Sequence, residues 1–228
     1  MAETYRSTCF FQNKPSVRYY SVMDVEGKQV EEQMQERARQ TRAAILRGAG
    51  EAFAEQGYAA ATMNDIAVRA GVTRGALSFH FPAKAAIAVA LIQMFDQRRV
   101  ETVARIEPES PGLVRIWQLL EALASASADD ATIQAASRLQ LERNVIDAPL
   151  PPPFVGWIDS FTALYADAAA RGELRDGVEP ATLGWMTAAT FFGVQHVSNA
   201  LTARSDLLQR IGEFWTLFLP AIQAPPPS

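Results

Sequence analysis

The residues from Thr62 to Phe81, TMNDIAVRAGVTRGALSFHF, carry two helix start signals with one glycine between them, which leaves few folds open. Thr62 is placed to accept from the backbone N–H groups of an opening helical turn, and Asp65, three residues on, suits the positive end of that helix. Ile66, Ala67 and Ala70 then share its buried side. Gly71 falls where the chain must turn sharply, since glycine enters the left-handed region without steric cost. Thr73 caps a second helix from Arg74 to His80. A short helix, a glycine turn and a second helix make helix-turn-helix spacing.

On the second helix Leu77 and Phe81 lie four apart and face the core, while Arg74, Gly75, Ser78 and His80 point mostly outward. A helix enters a DNA major groove only if its leading residues are slim. Arg74 is the one long side chain there, suited to bidentate bonding with guanine O6 and N7. Lys84 and the turns at Thr62 and Thr73 suit phosphates. The expected DNA contacts are therefore Thr62, Thr73, Arg74, Gly75, Ala76, Ser78, His80 and Lys84.

The run Gly71-Val72-Thr73-Arg74-Gly75-Ala76-Leu77-Ser78-Phe79-His80-Phe81 resembles the recognition segment of the TetR-type repressors almost residue for residue. Members of that family usually carry tyrosine where this chain has Ser78, and that tyrosine commonly touches the DNA backbone. A serine hydroxyl there reaches only a nearer phosphate oxygen. The resemblance implies a homodimer bound to double-stranded operator DNA.

Composition narrows the rest. The 228 residues are 49% hydrophobic, ordinary for a globular chain and long enough for one large or two small domains. The longest apolar runs, such as 85–92, are short of a membrane span, and the N-terminus lacks a signal-peptide core, so a cytoplasmic protein without membrane contact is expected. A lone cysteine, Cys9, excludes an intrachain disulfide and reads as an incidental tail thiol. With only His80 and His196, no Cys/His metal site is expected, and no cofactor. The net charge of -4 divides unevenly: 34–84 carries seven Lys/Arg against four Asp/Glu, whereas 85–228 carries ten against sixteen. The basic part is the helix-turn-helix part.

The pattern predicts an all-α chain: an N-terminal three-helix, helix-turn-helix DNA-binding domain at 34–84, then a helical ligand-binding and dimerisation domain at 85–220. Residues 1–33 lack periodicity and read as a disordered tail. Either translation begins at Met34 or Met23, the favoured reading, or the tail is a flexible arm near DNA. Residues 221–228 are a second tail. Apolar positions from Gln35 to Gln56 recur at helical spacing, with Gly57 closing the helix. Gly48 and Gly50 have no preceding strand and no third glycine, so close helix packing is preferred over a phosphate loop. Pro82 is expected in the first turn of a long helix to Ile106, and further helices at 113–127, 131–144, 154–171, 180–203 and 206–218.

Within the second domain, Ala136-Ser137-Arg138-Leu139-Gln140-Leu141-Glu142-Arg143 and Pro149-Leu150-Pro151-Pro152-Pro153-Phe154-Val155-Gly156-Trp157 resemble the γ-butyrolactone-type autoregulator receptors of antibiotic-producing actinobacteria. Phe191-Phe192-Gly193-Val194-Gln195-His196-Val197-Ser198 is similar to the subset sensing furan-carboxylate signals. In that branch the tryptophan matching Trp157 lies against the signal. A small hydrophobic signal wants an apolar cavity with sparse polar groups; from periodicity Trp157 and Phe154 read as core, and the resemblance implies Gln140, Phe154, Trp157 and Thr190 as ligand contacts. Trp185, Trp215 and Phe218 read as core or dimer interface.

His196 has no nucleophile setting and no G-x-S-x-G elbow beside it, so no catalytic residue is assigned and a buried or interface histidine is preferred. The reading is a repressor released from its operator by a butyrolactone, butenolide or furan signal and controlling antibiotic or secondary-metabolite genes. Two rivals remain open at this point: a regulator of the same fold sensing an antibiotic or toxic compound, and an all-α enzyme acting through His196 or a carboxylate.

Overall fold

The computed structural model describes residues 17–225, with side chains from 29 onward. Its helices are α1 (Val17–Ala60), α2 (Met63–Ala70), α3 (Arg74–His80), α4 (Lys84–Arg105), α5 (Gly112–Asp129), α6 (Ala131–Leu141), α7 (Val155–Ala170), α8 (Pro180–Thr202) and α9 (Leu207–Ile222), with a short 3₁₀ turn at Arg143–Val145. The all-α expectation holds: among the described residues extended pairing is limited to one antiparallel bridge, Leu174 with Gln223. No single helix among them is long and apolar enough to cross a membrane. Cys9 lies outside the described residues.

Two compact units divide at Arg42/Ala43. In the first, where described, the helix is held by near-neighbour contacts such as Gln40 to Glu36 and Thr41 to the Arg37 carbonyl. Residues 17–33, expected in a tail, are helical. Their Val, Met, Glu, Gln and Lys content has adequate helix propensity without the apolar stripe that the sequence reading looked for. The N-terminal residues 1–16 lie outside the described residues.

In the second unit α2 begins and ends on its expected signals. Thr62 Oγ1 accepts the Asp65 N–H at 3.1 Å while Asp65 Oδ2 accepts the Thr62 N–H at 3.0 Å, a reciprocal capping box. Gly71 is left-handed at φ 66°, and Val72 N–H closes back on the Ala67 carbonyl at 3.0 Å. Thr73 Oγ1 caps α3 by accepting the Ala76 N–H at 3.1 Å. Gly48 lets the backbones of α1 and α2 meet, since a Cβ there would stand 2.7 Å from the Ala70 nitrogen; one at Gly50 would stand 2.8 Å from Thr132 Cγ2.

Ile45, Phe53, Ile66, Leu77, Ile87 and Leu91 are fully buried beneath this head. The expected domain boundary at 84/85 does not separate two cores. Ala135 and Leu139 of α6, with Ile146, belong to the same buried cluster as the head, so α6 is packed into it. A second cluster, from α5, α7, α8 and α9, includes Ile116, Phe161, Tyr165, Phe191 and Ile211. Burial pushes the Tyr165 phenol well above its ordinary range, and its one partner is Thr187 Oγ1 at 2.9 Å.

Several helix ends move from their expected positions. Pro82 precedes α4, which starts at Lys84, and α6 stops at Leu141, giving way to the 3₁₀ turn. Phe154 caps α7 in a left-handed conformation, φ 63°, which the run of prolines before it did not signal. Helix α9 continues to Ile222 through Pro220, four residues past the expected end.

Candidate functional site

The expected DNA face is largely on one side of the head. Thr62, Thr73, Arg74, Gly75 and Ser78 are exposed, while Ala76 and His80 are half-buried. The hydroxyls of Thr62 and Thr73 are engaged as helix caps, leaving slim threonine methyls and the first-turn N–H groups at the helix starts. One feature of α3 escaped the sequence: Phe79 is 85% exposed, with its ring 5.4 Å from that of His80. The outward face is therefore slim and polar at its start and aromatic at its end. Helical spacing placed Leu77 and Phe81 correctly in the core, at 0% and 4% exposure.

Lys84, expected at a phosphate, has backbone partners in the structure. Its Nζ donates to the carbonyls of Tyr58 at 2.5 Å, Ala61 at 2.8 Å and Ala59 at 3.4 Å, and it lies 4.4 Å from the Tyr58 ring centroid. Two of the three N–H donors of the ammonium are thus held at short range by carbonyls at the end of α1. Burial lowers the Lys84 pKa somewhat, consistent with a cation drawn into the turn.

A cavity of about 830 Å³ opens beside the same turn. Its wall comes from Ala54 of α1; Ser137, Arg138, Leu141 and Glu142 on and after α6; Phe154 and Ile158; and, on α8, Trp185, Ala188, Phe192, Gly193, Gln195, His196 and Asn199, with Arg204 beyond. Phe154 packs on Phe192 with ring centroids 4.6 Å apart and the rings tilted, and it is the one expected ligand residue on this wall. Trp157 lies deeper, 4% exposed, against Phe95 at 5.2 Å and behind Phe192 at 6.3 Å. Gln140 is buried with its Oε1 unpartnered, and Thr190 is half-buried; neither lines the cavity. The i, i+3 spacing that put Phe154 and Trp157 on one face fails because Phe154 is the left-handed cap, outside the helical twist. His196, expected buried or at an interface, is exposed on the cavity rim.

Two cavity residues also hold the head. Arg138 Nε pairs with Glu142 Oε1 at 2.7 Å, and its Nη1 donates to the carbonyls of Ala54 at 3.0 Å and Glu55 at 3.2 Å. Glu142 Oε2 accepts the Tyr58 N–H at 2.6 Å. Between these bonds lies Gly57, at φ 82°; a Cβ there would stand 2.6 Å from Arg138 Nη2. The end of α1 is thus gripped from one side by Lys84 and from the other by an ion pair in the cavity wall.

A capped helix-turn-helix packed on a helical body with its own cavity joins a candidate DNA-reading head to a ligand-sized pocket in one chain. The head matches the description of bacterial regulatory proteins of the tetR family over residues 45–91. The A-factor receptor protein of Streptomyces griseus is 33% identical over 191 residues, 84% of this chain and 67% of that protein. The chain belongs to the tetR family of transcriptional regulators. Its fold matches a structure describing the molecular basis for control of antibiotic production by bacterial hormones, with TM-score 0.76 and 40% identity over 81% of this chain and 98% of that one. It also matches CprB of Streptomyces coelicolor in complex with its operator sequence, with TM-score 0.68 and 25% identity over 82% and 90% of the two chains.

Proposed function

We propose that this chain is a cytoplasmic, homodimeric repressor that holds a pseudo-palindromic operator through two helix-turn-helix heads. It lets go when a small γ-butyrolactone, butenolide or furan signal enters the cavity. The observation that carries this reading is that the cavity wall contains Arg138 and Glu142, whose other bonds grip the end of α1. An occupant that shifts either residue alters the seat of the head without touching DNA. Release then requires differential affinity: moving the equilibrium from 1:99 to 99:1 takes roughly 5.5 kcal/mol of preference for the released form, shared by two sites per dimer.

Arg74 reads base edges from the front of α3, with Thr62, Thr73, Gly75, Ala76, Ser78 and His80 against groove and backbone. Phe154, with Phe192 and Trp185, forms the apolar wall for the signal, and Trp157 backs it through Phe192. Dimerisation is supported by apolar side chains left exposed on α8 and α9, among them Leu201 at 78% and Leu217 at 81%. Similarity to the A-factor receptor and to the structure concerned with bacterial hormones supports the signal class and control of antibiotic genes.

The test is a gel shift on the gene's own upstream DNA with a γ-butyrolactone, a butenolide and a furan carboxylate added in turn. A shifted band dissolved by one of these is the expected result. Release by an antibiotic and by none of the three would reassign the sensor to toxic compounds, and failure to shift any upstream DNA would sink the repressor reading.

A further inference from the structure

A second cavity of about 830 Å³ lies between α5 and α9, bounded by the turn after α7, and shares no wall residue with the first. Its rim is pinned to both helices. Glu173, in that turn, accepts the Gly112 and Leu113 N–H groups at 2.9 Å each, which ties it to the start of α5. The backbone ties the same turn to the end of α9: Arg175 N–H donates to the Ile222 carbonyl at 2.9 Å, and Ala224 N–H to the Glu173 carbonyl at 2.8 Å. A cavity framed by such bonds is preformed, as small-molecule sites usually are.

Its wall is aromatic, and one residue keeps that wall bare. Trp117 and Trp215 stack with ring centroids 6.4 Å apart and planes at 29°, Trp117 being half-buried. Across from them in α9 is Gly212, where a Cβ would stand 3.7 Å from Trp117 Cη2, an ordinary contact. Glycine inside a helix is destabilising relative to alanine, so packing supplies no reason for it here. Among the residues described with side chains, two other glycines within helices have such room. A Cβ would meet only Thr73 Oγ1, at 3.9 Å, at Gly75, and nothing within 4 Å at Gly193. Gly75 is on the outward face of α3 and Gly193 on the wall of the first cavity, the two surfaces assigned above to DNA and to the signal. Gly212 is the third, and it opens the second cavity.

The charge of this lining sets the chemistry of a guest. Its described residues include one carboxylate, Glu173, and no Lys, Arg or His. Each oxygen of that carboxylate accepts one backbone N–H and retains a further lone pair. Residues 85–228 are acidic as a whole, with ten Lys/Arg against sixteen Asp/Glu. Indole is the side-chain ring that attracts a cation most strongly. We infer that the α5–α9 cavity is a second binding site, for a flat aromatic cation, its rings laid on Trp117 across the gap at Gly212 and its charge toward Glu173. The site is separate from the signal cavity in both its walls and its charge.

The probes are N-methylacridinium, acridine and anthracene-9-carboxylate, three-ring compounds of similar shape that are cationic, neutral and anionic at mildly alkaline pH. They are titrated calorimetrically into the full chain without DNA. N-methylacridinium should bind about tenfold or more tightly than acridine, and the carboxylate more weakly still. Gly212→Leu fills the gap while favouring the helix, so it should abolish binding of the cation and melt no lower than the wild type. Thr216→Trp, at an exposed position of the same wall, is a second block with the same expected result. Glu173→Gln should bring the cation and the neutral ring to equal affinity. Equal binding of the three probes, no binding of the cation, or cation binding that survives both blocks would overturn the inference. Gly193→Trp, which crowds the first cavity, should leave cation binding unchanged. Loss of binding in Gly193→Trp with retention in Gly212→Leu would place the cation in the first cavity and overturn the inference, without bearing on the signal reading.

Discussion

Glu142 and Tyr58, 84 positions apart in sequence, are joined by a 2.6 Å hydrogen bond from the Tyr58 backbone N–H to the Glu142 carboxylate. The same carboxylate holds Arg138, whose guanidinium reaches the Ala54 and Glu55 carbonyls. One ion pair therefore links the wall of a cavity to the last turn of the helix that carries the head. A hydrogen bond to a charged acceptor contributes about 1.5 to 3 kcal/mol, and this pair is partly solvated, which places Glu142→Ala near the low end. Chemical denaturation should show that loss, and gel shifts should show weaker operator binding together with blunted release by signal. A variant with full stability and unchanged release would remove Glu142 from the coupling.

Trp157 is predicted to behave as a core residue. It is 4% exposed and packs on Phe95 and Phe192, so truncation leaves a void that its neighbours fill only in part. Trp157→Ala should cost about 3 to 5 kcal/mol and lower the melting temperature and operator binding together. Retention of the wild-type melting temperature with selective loss of signal response would return Trp157 to the ligand wall.

On α3 the two long exposed side chains should separate by their effects. Arg74→Ala should cost about 1 to 3 kcal/mol of operator affinity per contact and relax preference at one base in each half-site. Phe79 is 85% exposed and meets His80 edge-on at the surface, so Phe79→Ala should change stability by less than about 0.5 kcal/mol while weakening DNA binding. Uniform weakening across operator variants by Arg74→Ala would make it a phosphate contact, and unchanged affinity in Phe79→Ala would take the ring out of the interface.

Acid should attack two carboxylates first, Asp65 in the capping box of α2 and Asp206 at the start of α9. Hydrogen bonds from Thr62 hold the Asp65 carboxyl below its ordinary range, and Ser198, Thr202 and Arg210 hold Asp206 well below it. A carboxyl whose folded pKa is depressed contributes fully above its unfolded value and loses that contribution as pH falls through the ordinary carboxylate range toward the folded value. Stability should therefore decline on acidification, and Asp65→Asn and Asp206→Asn should each flatten part of that decline. Melting temperatures measured across the acid limb would contradict this if both variants ran parallel to the wild type.

The head was legible because its signals are local. Thr62 with Asp65, Gly71 and Thr73 act within a few residues of themselves, and caps of that kind work wherever the segment is placed. Periodicity likewise found Leu77 and Phe81. It missed Phe79 because an outward aromatic breaks the binary pattern, and it did not show that Lys84 bonds to the end of α1 because that partner lies 26 residues back.

Sequence alone determined that the chain is helical, where a helix-turn-helix begins and turns, and which family's pattern it follows, since capping, glycine punctuation and a 3.6-residue period are properties of short segments. Which residues form the cavity was decided only by tertiary structure. Phe154 leaves the helical twist of α7 by one left-handed residue, Trp157 is carried behind Phe192, and Ser137, Gln195 and Arg204 come to one cavity wall from α6, α8 and the turn after α8. Which side chains face one cavity depends on how distant segments pack, so that grouping had no signature along the chain.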